Sequence, residues 1–98
     1  MKAIYERTGG FAGIRLRLQV DTADLQQEDT RRFQQLVEGA DFFNLPANMI
    51  PSKPPPDRFQ YTVTIEDEER KHTVALSEAT LPVNVRPLTD WLAKMGHR

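Results

Sequence analysis

The pattern of apolar residues predicts an α+β fold of order β-β-α-β-β-α, a four-stranded antiparallel sheet with two helices packed on one face. Three observations carry this. Ile14, Leu16, Leu18 and Val20 alternate with Arg15, Arg17 and Gln19, and Phe59, Tyr61, Val63 and Ile65 alternate with Gln60, Thr62 and Thr64. That period of two is the mark of strands with one wet face. Leu25, Phe33, Leu36, Val37 and Ala40 recur at helical spacing, as do Val85, Leu88, Trp91, Leu92 and Met95. The chain has 98 residues, enough for one core, so residues 1–98 are read as a single domain.

Residues 2–8 alternate weakly and predict a short first strand. Gly9-Gly10-Phe11-Ala12-Gly13 follows, a turn composition that permits positive φ, and joins it to the strand of Ile14–Val20 as a hairpin. Asp21-Thr22-Ala23-Asp24 carries helix-start chemistry, and Asp24 with Gln27 resembles a capping box. The helix is expected over roughly 24–40. Phe42-Phe43-Asn44-Leu45-Pro46 closes it against the core. Residues 46–57 contain Pro46, Pro51, Pro54, Pro55 and Pro56, which excludes a helix or a central strand and predicts a loop, partly polyproline-like. The strand of Phe59–Ile65 runs into the acidic turn Glu66-Asp67-Glu68-Glu69, and His72, Val74 and Leu76 complete a second hairpin. Asn84 is expected to cap the last helix, placing Pro87 in its first turn, and Gly96 to end it.

Composition narrows the function. Lys plus Arg is 13 and Asp plus Glu is 14, a formal net charge of -1, so the basic surplus of a nucleic-acid binder is missing. Cysteine is absent, which excludes disulfides, thiol catalysis and thiolate metal sites. No apolar run approaches the ~20 residues of a membrane helix. The N-terminal residues lack the apolar stretch of a signal peptide, so a cytoplasmic location is expected.

The residues offer little catalytic chemistry. His72 and His97 are the two histidines, with no His-x-x-x-His spacing, so no protein-held zinc and no cofactor are expected. The Gly9–Gly13 segment lacks the Lys-Ser/Thr of a phosphate loop and joins antiparallel strands. Phe11, flanked by glycines, either folds onto the core or projects as a contact residue. The acidic turn lacks the ligand spacing of a calcium loop and reads as solvated. Arg15 and Arg17, with Arg7 near them across the hairpin, form either a basic patch or ordinary strand residues paired with acidic neighbours. Ser52 and Ser77 have no accompanying base. The chain is read as a non-enzyme. From residues alone it is an interaction domain, an adaptor using the wet sheet face and acidic turn.

Specific residues point further. Arg7-Thr8-Gly9-Gly10-Phe11-Ala12-Gly13-Ile14, Asp21-Thr22, Leu36-Val37, Phe42-Phe43 and Leu45-Pro46 resemble the emfourins. The likeness continues through Asp57, Phe59, Tyr61, His72-Thr73-Val74, Pro82, Arg86-Pro87-Leu88 and Trp91-Leu92. Emfourins are small protein inhibitors of thermolysin-like zinc metallopeptidases, a family linked with protealysin. The resemblance implies an inhibitor that binds its peptidase directly and blocks the active-site cleft. Such clefts favour a bulky apolar side chain just after the scissile bond. The expected contact residues are therefore Gly9, Gly10, Phe11, Ala12 and Gly13, with Phe11 as apolar anchor. Met49 and Ile50 of the Pro-rich loop are a second candidate. The expected partner is a thermolysin-like zinc metallopeptidase, with no nucleic acid and no membrane, and the free protein is expected to be a monomer.

Overall fold

β1 (Lys2–Gly9) is one of the two inner strands of the sheet. It pairs antiparallel with β2 (Leu16–Asp21) on one side and β3 (Phe59–Glu66) on the other, and β3 pairs antiparallel with β4 (Lys71–Ser77). The sheet order is β2-β1-β3-β4. The computed structural model describes residues 1–9, 15–53 and 58–95. With α1 (Gln27–Gly39) and α2 (Arg86–Met95) the expected β-β-α-β-β-α order is observed. Ile14, Gly96 and His97 lie outside the described residues.

Register follows the alternation. Tyr5 stands opposite Leu18 and Val63, and Ala3 opposite Val20 and Ile65. Ala3, Tyr5, Val20, Val63, Ile65, Val74 and Leu76 are buried on this face. The opposite face presents Glu6, Arg17, Gln19, Thr62 and Thr64, and Thr64 shares a 2.8 Å hydroxyl hydrogen bond with its partner Thr73. Ile4 falls on this polar face because its parity in β1 is that of Glu6.

α1 buries Phe33, Leu36 and Val37, and α2 buries Leu88 and Leu92. Trp91 stacks flat on Phe33, with centroids 5.3 Å apart and rings within 3° of parallel, joining the two helices. Each such large side chain removed from water contributes ~1.5–3 kcal/mol.

Both expected helix caps are corrected. After β2 the chain makes a short 3-10 turn over Thr22–Asp24, where Asp21 Oδ1 accepts the Ala23 N–H at 3.0 Å. Asp24 is held in that turn, so α1 begins at Gln27 behind Gln26, which makes no side-chain cap. Asn84 does not cap α2. Its side-chain amide donates to the Ala40 carbonyl at 3.3 Å, satisfying an acceptor at the C-terminal end of α1. Pro87 does fall in the first turn of α2.

α1 leaves through Asp41 in the left-handed region (φ 50), a conformation Asp tolerates. Asn44 donates to Asp41 Oδ1 at 2.7 Å, and the turn sets Phe42 into the core. The start of the Pro-rich segment is more ordered than the expected loop. Ala47 O accepts the Ala75 N–H at 2.9 Å and the Met49 N–H donates to Ala75 O at 2.8 Å, a parallel bridge along β4. This strap occupies hydrogen-bonding groups on an edge that would otherwise be open.

Candidate functional site

The predicted contact loop grows from the end of the sheet where β1 stops. Gly9, its first residue, closes the ladder opposite Phe59. Its φ is +95, and a Cβ built there would stand 2.8 Å from the Arg58 carbonyl oxygen. Only glycine meets both conditions without displacing backbone. Gly10, Phe11, Ala12 and Gly13 lie outside the described residues. Arg58 and Phe59 follow the Pro-rich segment, so the chain leaving that segment enters β3 at the Gly9–Phe59 pair.

The side chains around that root form an aromatic and cationic cluster. Tyr5 and Tyr61 stack at 5.8 Å on the core-side face. The Arg7 guanidinium lies over the Phe59 ring, 4.5 Å from its centroid. Arg58 pairs with Glu78 at 3.3 Å across the start of the β4–α2 connection. Burial pushes the Tyr5 hydroxyl up to about 12, with Tyr61 adding to the effect and Arg7 opposing it. Tyr61 is raised as well, by burial first and then by Glu78, with Arg7 and Arg86 opposing and Asp90 reinforcing. Arg86 and Asp90 therefore bring the first turns of α2 into the field of this cluster.

The expected grouping of Arg7 with Arg15 and Arg17 is corrected. Arg7 has the parity of Ala3 and Tyr5 and lies on the core-side face. Arg15 and Arg17 lie across the sheet and share Glu6, at 3.3 and 3.2 Å. They are paired strand residues.

Met49 is half-buried and packs against the core, and Ile50 is half-buried with its N–H donating to Asn48 Oδ1 at 3.0 Å. Their strap sits at the level of Ala75, Thr62 and Glu6. That is three residues, or ~10 Å, down the sheet from Gly9 and three strand spacings, or ~14 Å, across it. The structure does not bring Met49 beside Gly9.

The remaining candidates have structural roles. His72 is half-buried, edge-on to Phe42, and its Nε2–H donates to Leu45 O at 2.7 Å. Ser77 is buried, and its Oγ accepts the Ala79 N–H at 3.3 Å. Asp67 organises the acidic turn by accepting the Glu69 and Arg70 N–H groups at 2.9 and 2.7 Å. The Glu69 N–H, foremost, holds its carboxyl below the usual value. A cleft of about 470 Å³ opens at this opposite end among Val37, Glu38, Asp41, Phe43 and Arg70, and holds none of the predicted contact residues. Among the described residues no group of three or more His, Asp or Glu side chains is placed to hold a metal ion. None of the described helices is long and apolar enough to cross a membrane.

The emfourin family model matches residues 5–93, from Tyr5 through nearly all of α2. The chain belongs to the emfourin family. No curated protein and no solved structure matches it. Emfourin membership supports a protein inhibitor of metallopeptidases, and it is consistent with a chain that is not an enzyme. The matched span includes the Gly9 root, Arg7, Phe59 and Tyr61, so the aromatic and cationic end of this emfourin lies within the family domain. Composition alone marks Gly9, whereas Phe59 and Tyr61 read from sequence as core strand residues. Their common parity with Arg7 was the available signal.

Proposed function

We propose that this emfourin inhibits a protealysin-like, thermolysin-like zinc metallopeptidase by binding it directly and obstructing its active-site cleft. Family membership over residues 5–93 is the observation that carries the reading. The Gly9–Gly13 segment is the inserting element and Phe11 its apolar anchor. Two features support this choice. The segment begins at a residue fixed by the Gly9–Phe59 pair and the Arg58 carbonyl, so its first position is set by paired strands. An aromatic side chain between glycines also lets backbone approach a partner closely while one large group fills an apolar pocket. Met49 and Ile50 take a secondary place, because Met49 packs against the core and both lie far from β1. In this reading the free protein is a monomer and acts in the cytoplasm, and the peptidase supplies all the chemistry.

The test is binding to a purified protealysin-like peptidase, followed by gel filtration, with and without a small zinc-chelating inhibitor occupying its cleft. A stable complex that the small inhibitor displaces is expected. Phe11→Ala should weaken inhibition by ~2–4 kcal/mol, roughly 30- to 1,000-fold, while the melting temperature stays near that of the wild type. A complex that forms equally well with the cleft occupied refutes cleft obstruction. A folded Phe11→Ala protein of undiminished potency refutes the anchor.

A further inference from the structure

The charge of the described residues is unevenly placed. At the Gly9 end of the sheet Arg7 and Arg58 lie beside the Gly9–Phe59 pair and Arg15 and Arg17 lie on the opposite face, and among the described residues Glu6 and Glu78 are the carboxylates paired to them. Arg86 and Asp90 of α2 add one charge of each sign near Tyr61. The other end of the sheet carries Asp21 and the run Glu66-Asp67-Glu68-Glu69, offset by the Met1 ammonium, Lys2, Arg70 and Lys71. Among the described residues the loop end is thus the more basic and the turn end the more acidic.

Arg7 stands apart within the basic end. Arg15 and Arg17 share a carboxylate and Arg58 has its own. The Arg7 guanidinium rests on the neutral Phe59 ring, with no carboxylate in ion-pair range among the described residues. A ring holds a cation in place without cancelling its charge. Arg7 is also half-buried on the core-side face, where an unneutralised guanidinium costs more than an apolar side chain of equal size. It lies two residues, ~7 Å, from the root of the loop. A held, uncancelled cation beside a docking loop suits a partner that brings the missing carboxylate.

We infer that the Arg7–Phe59 pair is an electrostatic contact of the docking face, and that the peptidase fitted to it carries carboxylates on the rim of its cleft. The inference rests on the inhibitor reading above and adds the charge of the partner. The basic end leads the approach, since a dipolar molecule turns that end toward a negative surface before contact. Arg7 then pairs with a rim carboxylate while the adjacent loop enters.

The experiment is stopped-flow association with a protealysin-like peptidase, thermolysin in parallel, at about 20 mM and about 500 mM NaCl. Wild-type association should slow roughly threefold to tenfold or more between the two salts. Arg7→Glu should slow it roughly threefold to tenfold at low salt, with the gap closing at high salt. Arg7→Lys keeps the charge and should retain the salt dependence, but dissociate faster because the planar stack on Phe59 is lost. Lys71→Glu, at the acidic end, should not slow association. Melting temperatures of all variants report folding. Association of the wild type independent of salt overturns the inference even if Arg7→Glu fails to fold. So does a folded Arg7→Glu protein that associates at the wild-type rate at low salt. In both cases the inhibitor reading stands. A wild type that inhibits neither enzyme overturns that reading, and the inference with it.

Discussion

Gly9→Ala should destabilise the protein by about 2–4 kcal/mol. The new Cβ would stand 2.8 Å from the Arg58 carbonyl oxygen, at a φ of +95 that side chains rarely adopt. Backbone strain of that kind costs ~1–3 kcal/mol. The oxygen belongs to backbone beside Phe59, the register partner of Gly9, so relief must disturb the end of the β1–β3 ladder. Losing one ladder hydrogen bond adds ~0.5–1.5 kcal/mol. For a domain of this size each kcal/mol moves the melting temperature by ~4–8 °C, giving a fall of roughly 10–30 °C. Gly39→Ala is the internal comparison. Gly39 ends α1 with open space where a Cβ would stand, nothing lying within 4 Å, so alanine there should stabilise by ~0.4–1 kcal/mol. Urea denaturation of both variants measures the contrast. A Gly9→Ala protein within about 0.5 kcal/mol of wild type would refute the claim that the loop root is fixed by backbone geometry.

Three further outcomes follow from particular contacts. Asn84→Ala leaves the Ala40 carbonyl without its donor and should cost ~0.5–1.5 kcal/mol in urea, with the loss of amide protection concentrated at the C-terminal end of α1. Trp91→Ala removes the flat stack on Phe33 between the helices and should cost ~2–4 kcal/mol, read by thermal denaturation. Because burial raises Tyr5 from 10.0 to about 12, the unfolded chain releases this proton first as pH rises. Stability from this group is full below pH 10 and falls through the window from about 10 to about 12, and Tyr5→Phe should reduce that dependence.

The alternation of Tyr61, Val63 and Ile65, and the spacing of Phe33, Leu36 and Val37, made the sheet faces and helix faces legible in the sequence. Burial of one face is a period effect, and period is a local property. Helix ends were less legible. Asp24 and Asn84 are both good caps by type, yet Asp24 is held in a 3-10 turn by Asp21, and Asn84 reaches back to Ala40. Those partners are set by how the chain folds over itself. The site divides the same way. The glycine-rich composition marked Gly9, but the need for glycine comes from the Arg58 carbonyl across the ladder. Arg7 on Phe59, and the strap of Ala47 and Met49 along Ala75, likewise join residues far apart in sequence. No local pattern encodes those meetings.

The most direct measurement is titration of a protealysin-like metallopeptidase with the folded protein at fixed substrate. Loss of activity in proportion to added protein, complete near one molecule per enzyme, is the predicted result. Full activity at a large excess of folded protein would contradict the inhibitor account.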